Sequence, residues 1–190
     1  MSCSGKVLHM IDRHTAVTRC YPVPGQMWPR ELCWLYDTVS QSTSHVEVGV
    51  YCGRSLMASV AGMRPGSLAL AVDLEHTETS WVRDVLSATI REIARCNTEI
   101  EIQTEFSNSI QAARSAMQHG KRFDSVFIDG DHEYESVVAD ITEWKPLVLP
   151  GGILCGHDYS TAFPGVMDAV NELCPGFEVV PSTRIWFLRM

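Results

Sequence analysis

No stretch of this sequence approaches the roughly 18 consecutive apolar residues of a membrane span, and its mean hydropathy is −0.01. A membrane is therefore not expected as a partner. Positive charge is also scarce: 15 Lys and Arg stand against 23 Asp and Glu, for a formal charge of −8. The basic residues are scattered rather than gathered into a stripe, which argues against a nucleic-acid backbone and for a small molecule as the main partner. A CxxC pair is missing as well. Cys3, Cys20, Cys33, Cys52, Cys96, Cys155 and Cys174 are odd in number and widely spaced, which fits neither a disulfide framework nor a zinc ribbon, so reduced thiols are expected. Residues 1–6 lack the basic region, apolar run and cleavage site of a secretory signal, and a cytoplasmic location is the expectation that follows.

What the chain does contain is alternation. Residues 1–28 have weak periodicity broken by Pro22, Pro24 and Gly25, and read as an N-terminal arm or lid preceding a domain over residues 29–190. Pro29 suits a first helical turn, and Leu32, Leu35, Tyr36 and Val39 recur at helical spacing. Strand-length apolar runs follow at 45–51, 67–74, 100–106, 123–129 and 152–156. They are separated by helical stretches at 55–61, 80–95, 109–119 and 134–147. Such an order implies a parallel sheet covered on both faces. After a helix over 165–173, the runs 177–180 and 184–188 flank Pro181-Ser182-Thr183, leaving no room for a crossover helix, so they should pair antiparallel. The expected fold is α/β: a Rossmann-like, doubly wound, mostly parallel seven-stranded sheet ending in an antiparallel hairpin. On the helix over 134–147, Asp140 and Glu143 fall away from Val137, Ile141 and Trp144 and read as solvated charges. Exposed aromatics such as Trp28 and Trp34 offer a contact for a homo-oligomer.

Glu47-x-Gly49-x-x-x-Gly53-x-Ser55 lies where a strand runs into a helix. Glycines there permit a tight turn and close approach to a ligand. The G-x-G-x-x-G spacing that seats a dinucleotide's pyrophosphate is absent, which disfavours an NAD-type oxidoreductase. Asp73, twenty residues beyond Gly53, closes the second strand, where a carboxylate can accept two hydrogen bonds from ribose hydroxyls. A nucleoside without a phosphate cradle is the implied ligand.

On these residues the chain resembles the class I S-adenosylmethionine-dependent methyltransferases. Phe127-Ile-Asp129-Gly-Asp131-His132-Glu-Tyr134, Leu149-Pro-Gly151-Gly152-Ile and Gly156-His157-Asp158-Tyr159 are similar to the small-molecule O-methyltransferase subgroup that includes cephalosporin-biosynthesis and macrolide-sugar enzymes. The resemblance implies that Glu47, Gly49, Tyr51, Gly53 and Ser55 form the cofactor loop. It further implies that Asp73 and Leu74 hold the ribose, that Ser107 lies near the adenine, and that Asp129 approaches the cofactor. The acidic group often found after the third strand is absent; Glu105 or Ser107 could serve, and a helix N-cap among residues 107–109 is the competing role. A protein that binds the cofactor without turnover remains an alternative, because a cofactor loop denotes binding and not chemistry.

The reaction centre is expected at the ends of the fourth and fifth strands. Asp129, His157 and Asp158 correspond to the metal-binding acids of the resembling enzymes, which implies Mg²⁺ or another divalent ion that would lower the pKa of an acceptor hydroxyl. His157 departs from that pattern, since imidazole suits a transition metal better than Mg²⁺. Metal-assisted and metal-free chemistry are thus both open. In the metal-free case His132 or Asp129 is the candidate base.

Overall fold

The computed structural model describes residues 11–75, 80–96 and 99–190. The chain begins with α1 (Arg13–Cys20), a helix in the segment whose periodicity is too weak to announce one. Asp12 caps it by accepting from the Thr15 N–H, and its buried residues are Ala16, Val17 and Cys20. So small an apolar face is held by docking against the neighbouring helices rather than by its own pattern. In α2 (Pro29–Val39) Pro29 occupies the first turn, Leu32, Leu35, Tyr36 and Val39 are buried as their spacing implies, and Glu31 is buried with them.

Strands and helices then alternate: β1 (Ser44–Val48), α3 (Arg54–Gly62), β2 (Leu68–Asp73), α4 (Ser80–Cys96), β3 (Glu101–Phe106), α5 (Ser109–Gln118), β4 (Phe123–Ile128) and α6 (Tyr134–Trp144). A short 3₁₀ turn (Lys145–Leu147) leads into β5 (Val148–Gly156), followed by α7 (Pro164–Leu173), β6 (Glu178–Val179) and β7 (Trp186–Arg189). The sheet order is β3-β2-β1-β4-β5-β7-β6. β1 to β5 are parallel, whereas β7 is antiparallel to both β5 and β6. The seven-stranded, doubly wound sheet with its terminal hairpin is therefore as the alternation implies, with β7 inserted inside β6.

Two apolar cores cover the two faces. Leu32, Leu56 and Leu86 belong to the one under α1 to α4, and Val137, Ile141, Trp144 and Val170 to the one under α5 to α7. Side chains of a strand alternate between faces. Val46 and Val48 join the second core, which leaves His45 and Glu47 on the opposite face. Strand order reverses direction between β1 and β4, and in open α/β sheets that reversal opens a crevice at the carboxyl ends of the strands.

Candidate active site

A cleft of about 610 Å³ opens at that crevice. Its walls include Gly49 and Tyr51 after β1, Asp73 and Leu74 at the end of β2, Ser107 to Ile110 after β3, and Asp129 to Asp131 after β4. Gly49 has φ +84°, and a Cβ there would lie 2.1 Å from the Asp129 carbonyl oxygen. Close approach of two strand ends thus demands glycine. Tyr51 is also left-handed, at φ 48°, and its N–H donates to Asp73 Oδ2 at 2.5 Å while the Leu74 N–H donates to Oδ1 at 2.7 Å. The Asp73 carboxylate is thereby held at the cleft wall by two backbone N–H groups.

The remaining residues of the glycine loop act at a distance from this cleft. Gly53, at φ +87°, is the N-cap of α3 and abuts Thr89 and Leu86. Glu47 lies fully buried beneath α3, accepting from the Ser55 hydroxyl at 2.7 Å, with His45 Nε2 4.0 Å away. Burial pushes its carboxyl above the usual range. Glu47 and Ser55 brace the turn from behind. Ser107 lines the cleft and donates to Glu105, while Asn108 caps α5 by accepting from the Ile110 N–H.

Asp140 requires a correction. Rather than a solvated charge, it is a buried side chain on the cleft wall, 6% exposed. Burial raises its pKa to about 6. The helical wheel places it away from the Val137 stripe, but that side of α6 faces the cleft. Glu143, one turn on, pairs with Arg114 at 2.7 Å.

A second cleft of about 360 Å³ shares Gly49, Tyr51, Asp129 and Gly130 with the first and is otherwise lined by Pro24 to Met27, Val50, Arg54, Ser55, His132, His157 and Asp158. Arg54 ties the segment between α1 and α2 to this site, its Nε donating to the Val23 carbonyl at 2.6 Å. Asp129, His132 and Asp158 each place a ligand atom within 4.8 Å of the others. Within that group His132 Nε2 lies 2.8 Å from Asp158 Oδ2, and the imidazole stacks on Phe163 with centroids 4.4 Å apart. Asp158 holds this position at φ 59°, a conformation that Asp tolerates better than most residues.

His157 meets the same two acids from a more buried position. It is buried, with Nε2 3.1 Å from Glu31 Oε1 and Nδ1 3.3 Å from Asp158 Oδ1 and 3.6 Å from Asp129 Oδ1. Burial works against its charge, but the carboxylates of Asp129, Asp158 and Glu31 outweigh that and push its pKa up to about 11. Burial pushes the Asp129 carboxyl up, whereas at Asp158 the His157, Arg184 and His132 contacts overcome burial and hold it low. Sequence reasoning misses Glu31 and Arg184. Glu31 accepts from the Trp28 N–H at 2.7 Å and the Arg184 N–H at 3.0 Å, and Arg184 Nη1 lies 2.8 Å from Asp158 Oδ1. Glu31 could have been noticed as the third residue of a helix begun by Pro29, where capping boxes place a glutamate. Nothing near Arg184 announces it. Trp28 is exposed beneath the Arg184 guanidinium, while Trp34 packs on Phe187 within the same chain.

A sequence profile for a family described as a methyltransferase domain matches residues 46–159, which span β1 to the residue after Asp158. The chain belongs to this methyltransferase family. An uncharacterised protein of Acanthamoeba polyphaga mimivirus is 26% identical over 141 residues, covering 68% of this chain and 58% of the relative; the methyltransferase thus spans little more than half of that relative. Among solved structures, an O-methyltransferase from Bacillus cereus, crystallised with S-adenosylhomocysteine, superposes with a TM-score of 0.66 at 16% identity, covering 98% of this chain and 94% of that one. TomG, an O-methyltransferase from Streptomyces achromogenes in complex with S-adenosylmethionine, gives 0.67 at 12% identity, covering 98% and 93%. A TDP-rhamnose 3'-O-methyltransferase of calicheamicin biosynthesis gives 0.63 at 17% identity, covering 94% and 80%. At these identities the structures share the fold. No helix among the described residues is long and apolar enough to cross a membrane.

Proposed function

We propose that this methyltransferase moves a methyl group from S-adenosylmethionine to a hydroxyl of a small molecule. One observation carries the reading: two clefts meet across Gly49, Tyr51, Asp129 and Gly130, and a His–Asp pair opens on the second alone. The larger cleft fits the nucleoside, since Asp73 presents a carboxylate fixed by two backbone N–H groups and position 49 has no Cβ in the way. When bound, the cofactor supplies a methyl group on a sulfonium, and transfer to oxygen leaves a neutral thioether. The protein's task is to align the acceptor and remove its proton.

His132 suits that task. With Nε2–H donating to Asp158, Nδ1 is left to accept the hydroxyl proton, and Asp158 stabilises the resulting imidazolium. Phe163 fixes the plane of the ring. Specificity for the acceptor falls to Pro24 to Met27, held by Arg54. Calorimetry with S-adenosylmethionine and S-adenosylhomocysteine tests the cofactor: saturable binding is expected, and no binding of either, with NAD titrated in parallel, overturns it.

A divalent ion is the second reading, favoured by the convergence of Asp129, His132 and Asp158. Two carboxylates and an imidazole suit a transition metal better than Mg²⁺. These three residues would hold it, and it would act as a Lewis acid on the acceptor oxygen. His157, enclosed by carboxylates, serves as an internal counter-charge instead of a ligand. A chelator titration separates the readings: loss of activity restored by added ion supports the metal, and unaltered activity supports His132 alone.

A further inference from the structure

Arg184 stands at the reaction centre without a task in the proposed chemistry. It belongs to the turn between β6 and β7, and several contacts fix it there. Its N–H donates to Glu31 Oε1 at 3.0 Å, and its carbonyl accepts from the Tyr159 N–H at 2.9 Å. The backbone is thus tied both to α2 and to the residue after Asp158. The guanidinium lies over the Trp28 ring, 5.5 Å from the centroid, close enough for a cation–π contact. Trp28 is itself held, since its N–H donates to Glu31 Oε2 at 2.7 Å. One fully buried carboxylate therefore secures the backbone of the arginine and that of the ring beside it. The turn adds rigidity: the Thr183 hydroxyl donates to the Val180 carbonyl at 2.9 Å and accepts from the Ile185 N–H at 3.1 Å. Exposed ion pairs contribute little because two mobile side chains must be ordered; here the arginine is ordered beforehand.

Its partner is Asp158. Arg184 Nη1 lies 2.8 Å from Asp158 Oδ1, and the pair is mostly enclosed, at 21% and 9% side-chain exposure. Asp158 Oδ2 lies 2.8 Å from His132 Nε2. The two oxygens are thus divided between a cation and the imidazole. His157 Nδ1 also faces Oδ1, at 3.3 Å, but its ring is shared with Asp129 and Glu31, and it precedes Asp158 in the chain. Arg184 approaches from another element and keeps its charge at any pH the protein meets. Stacking on Phe163 sets the plane of the His132 ring, yet leaves open the direction in which Nε2 points within that plane. We propose that Arg184 is a positioning residue for methyl transfer: paired with Oδ1, it stops the Asp158 carboxylate from rotating and keeps Oδ2 on His132 Nε2. His132 Nδ1 is then presented to the acceptor hydroxyl, and a base that loses its direction loses rate even when its chemistry is intact. Arg184 acts through Asp158 and not on the reacting atoms. This inference rests on the reading of His132 as the base.

The test is nuclear magnetic resonance of the full chain carrying isotope-labelled histidine. An imidazole N–H held in a hydrogen bond exchanges slowly with water and gives a downfield proton resonance; that of His132 is assigned as the one missing from His132→Gln. The wild type is expected to show it. Arg184→Ala is expected to lose it, and Arg184→Lys, which returns a cation to Oδ1, to recover it. S-adenosylhomocysteine affinity in Arg184→Ala is expected to stay within roughly twofold of the wild type, a separation that a general disturbance of the fold would not produce. A retained resonance in Arg184→Ala, its absence from Arg184→Lys as well, or a larger loss of affinity overturns the inference and leaves the pairing of His132 with Asp158 intact. Absence of the resonance from the wild type overturns that pairing and the inference with it. Should Arg184→Ala fail to fold, Arg184→Met keeps most of the side chain's length without its charge and is read in the same way.

Discussion

A methyl group at position 49 would sit 2.1 Å from the Asp129 carbonyl oxygen, so Gly49→Ala must push β1 and β4 apart where the two clefts meet. The expected cost is about 2–4 kcal/mol in chemical denaturation, and a wild-type midpoint would contradict the close approach. Asp73 and the strand-end acids divide the labour. Asp73→Ala is expected to weaken S-adenosylhomocysteine by roughly 10- to 100-fold, because it removes a charge-assisted anchor and orphans the Tyr51 and Leu74 N–H groups. Asp129→Ala and Asp158→Ala are expected to abolish turnover with a smaller loss of affinity; near-normal activity in both moves the reaction centre elsewhere. Asp140 carries a pH signature. Its pKa rises on folding from 3.8 to about 6, so the folded state favours its protonated form. The stability associated with that proton is fully present below pH 3.8, is lost as pH rises through about 6, and does not return above it. The net penalty is of the order of 3 kcal/mol, with the opposing Ser109 contribution already included. Asp140→Asn should therefore melt above the wild type at pH 8, by a margin that shrinks on acidification to pH 5; a constant margin would contradict the shift.

Between residue and sheet stand the elements that bring the segment before α2 to the site. Arg54, on the first turn of α3, reaches the carbonyls of Val23 and Met27, and Glu31 on α2 reaches both His157 and the Arg184 N–H. Arg54→Ala is expected to raise the KM for the acceptor several-fold with little change in S-adenosylhomocysteine affinity, and to speed proteolysis between residues 21 and 27; unchanged KM and cleavage would detach that segment from acceptor binding. These elements differ in how far the sequence discloses them. α2 is readable from Pro29 and four apolar residues at helical spacing, and the terminal hairpin from two strand-length runs too close for a crossover. α1 is not, because Ala16, Val17 and Cys20 make too narrow a stripe to stand out. The side of α6 that bears Asp140 reads as solvent-facing, since a helical wheel separates polar from apolar without distinguishing bulk water from a ligand cleft.

In the whole molecule, the reversal of strand order between β1 and β4 creates the crevice, and the loops after β1 to β4 wall it. A ligand there bridges most of the parallel sheet and should stabilise the fold as a unit. S-adenosylhomocysteine at a hundredfold excess over its Kd contributes about 2.7 kcal/mol, which for a domain of this size raises Tm by roughly 5–10 °C. Scanning calorimetry reads that shift, and a single transition that does not move with ligand would contradict it.

The sequence alone determined the order and kind of the principal elements, the glycine turn after β1 and the acids at the ends of β2, β4 and β5. Those features are local: apolar periods, turn residues and strand-end positions are written in consecutive residues. Only the tertiary structure decided which of them meet. It turned Glu47 under α3, gathered His132 as well as His157 with Asp129 and Asp158, and joined Glu31 and Arg184 to them from opposite ends of the chain. Such contacts depend on the facing of each side chain and on loop closure across more than a hundred residues, and neither leaves a local mark.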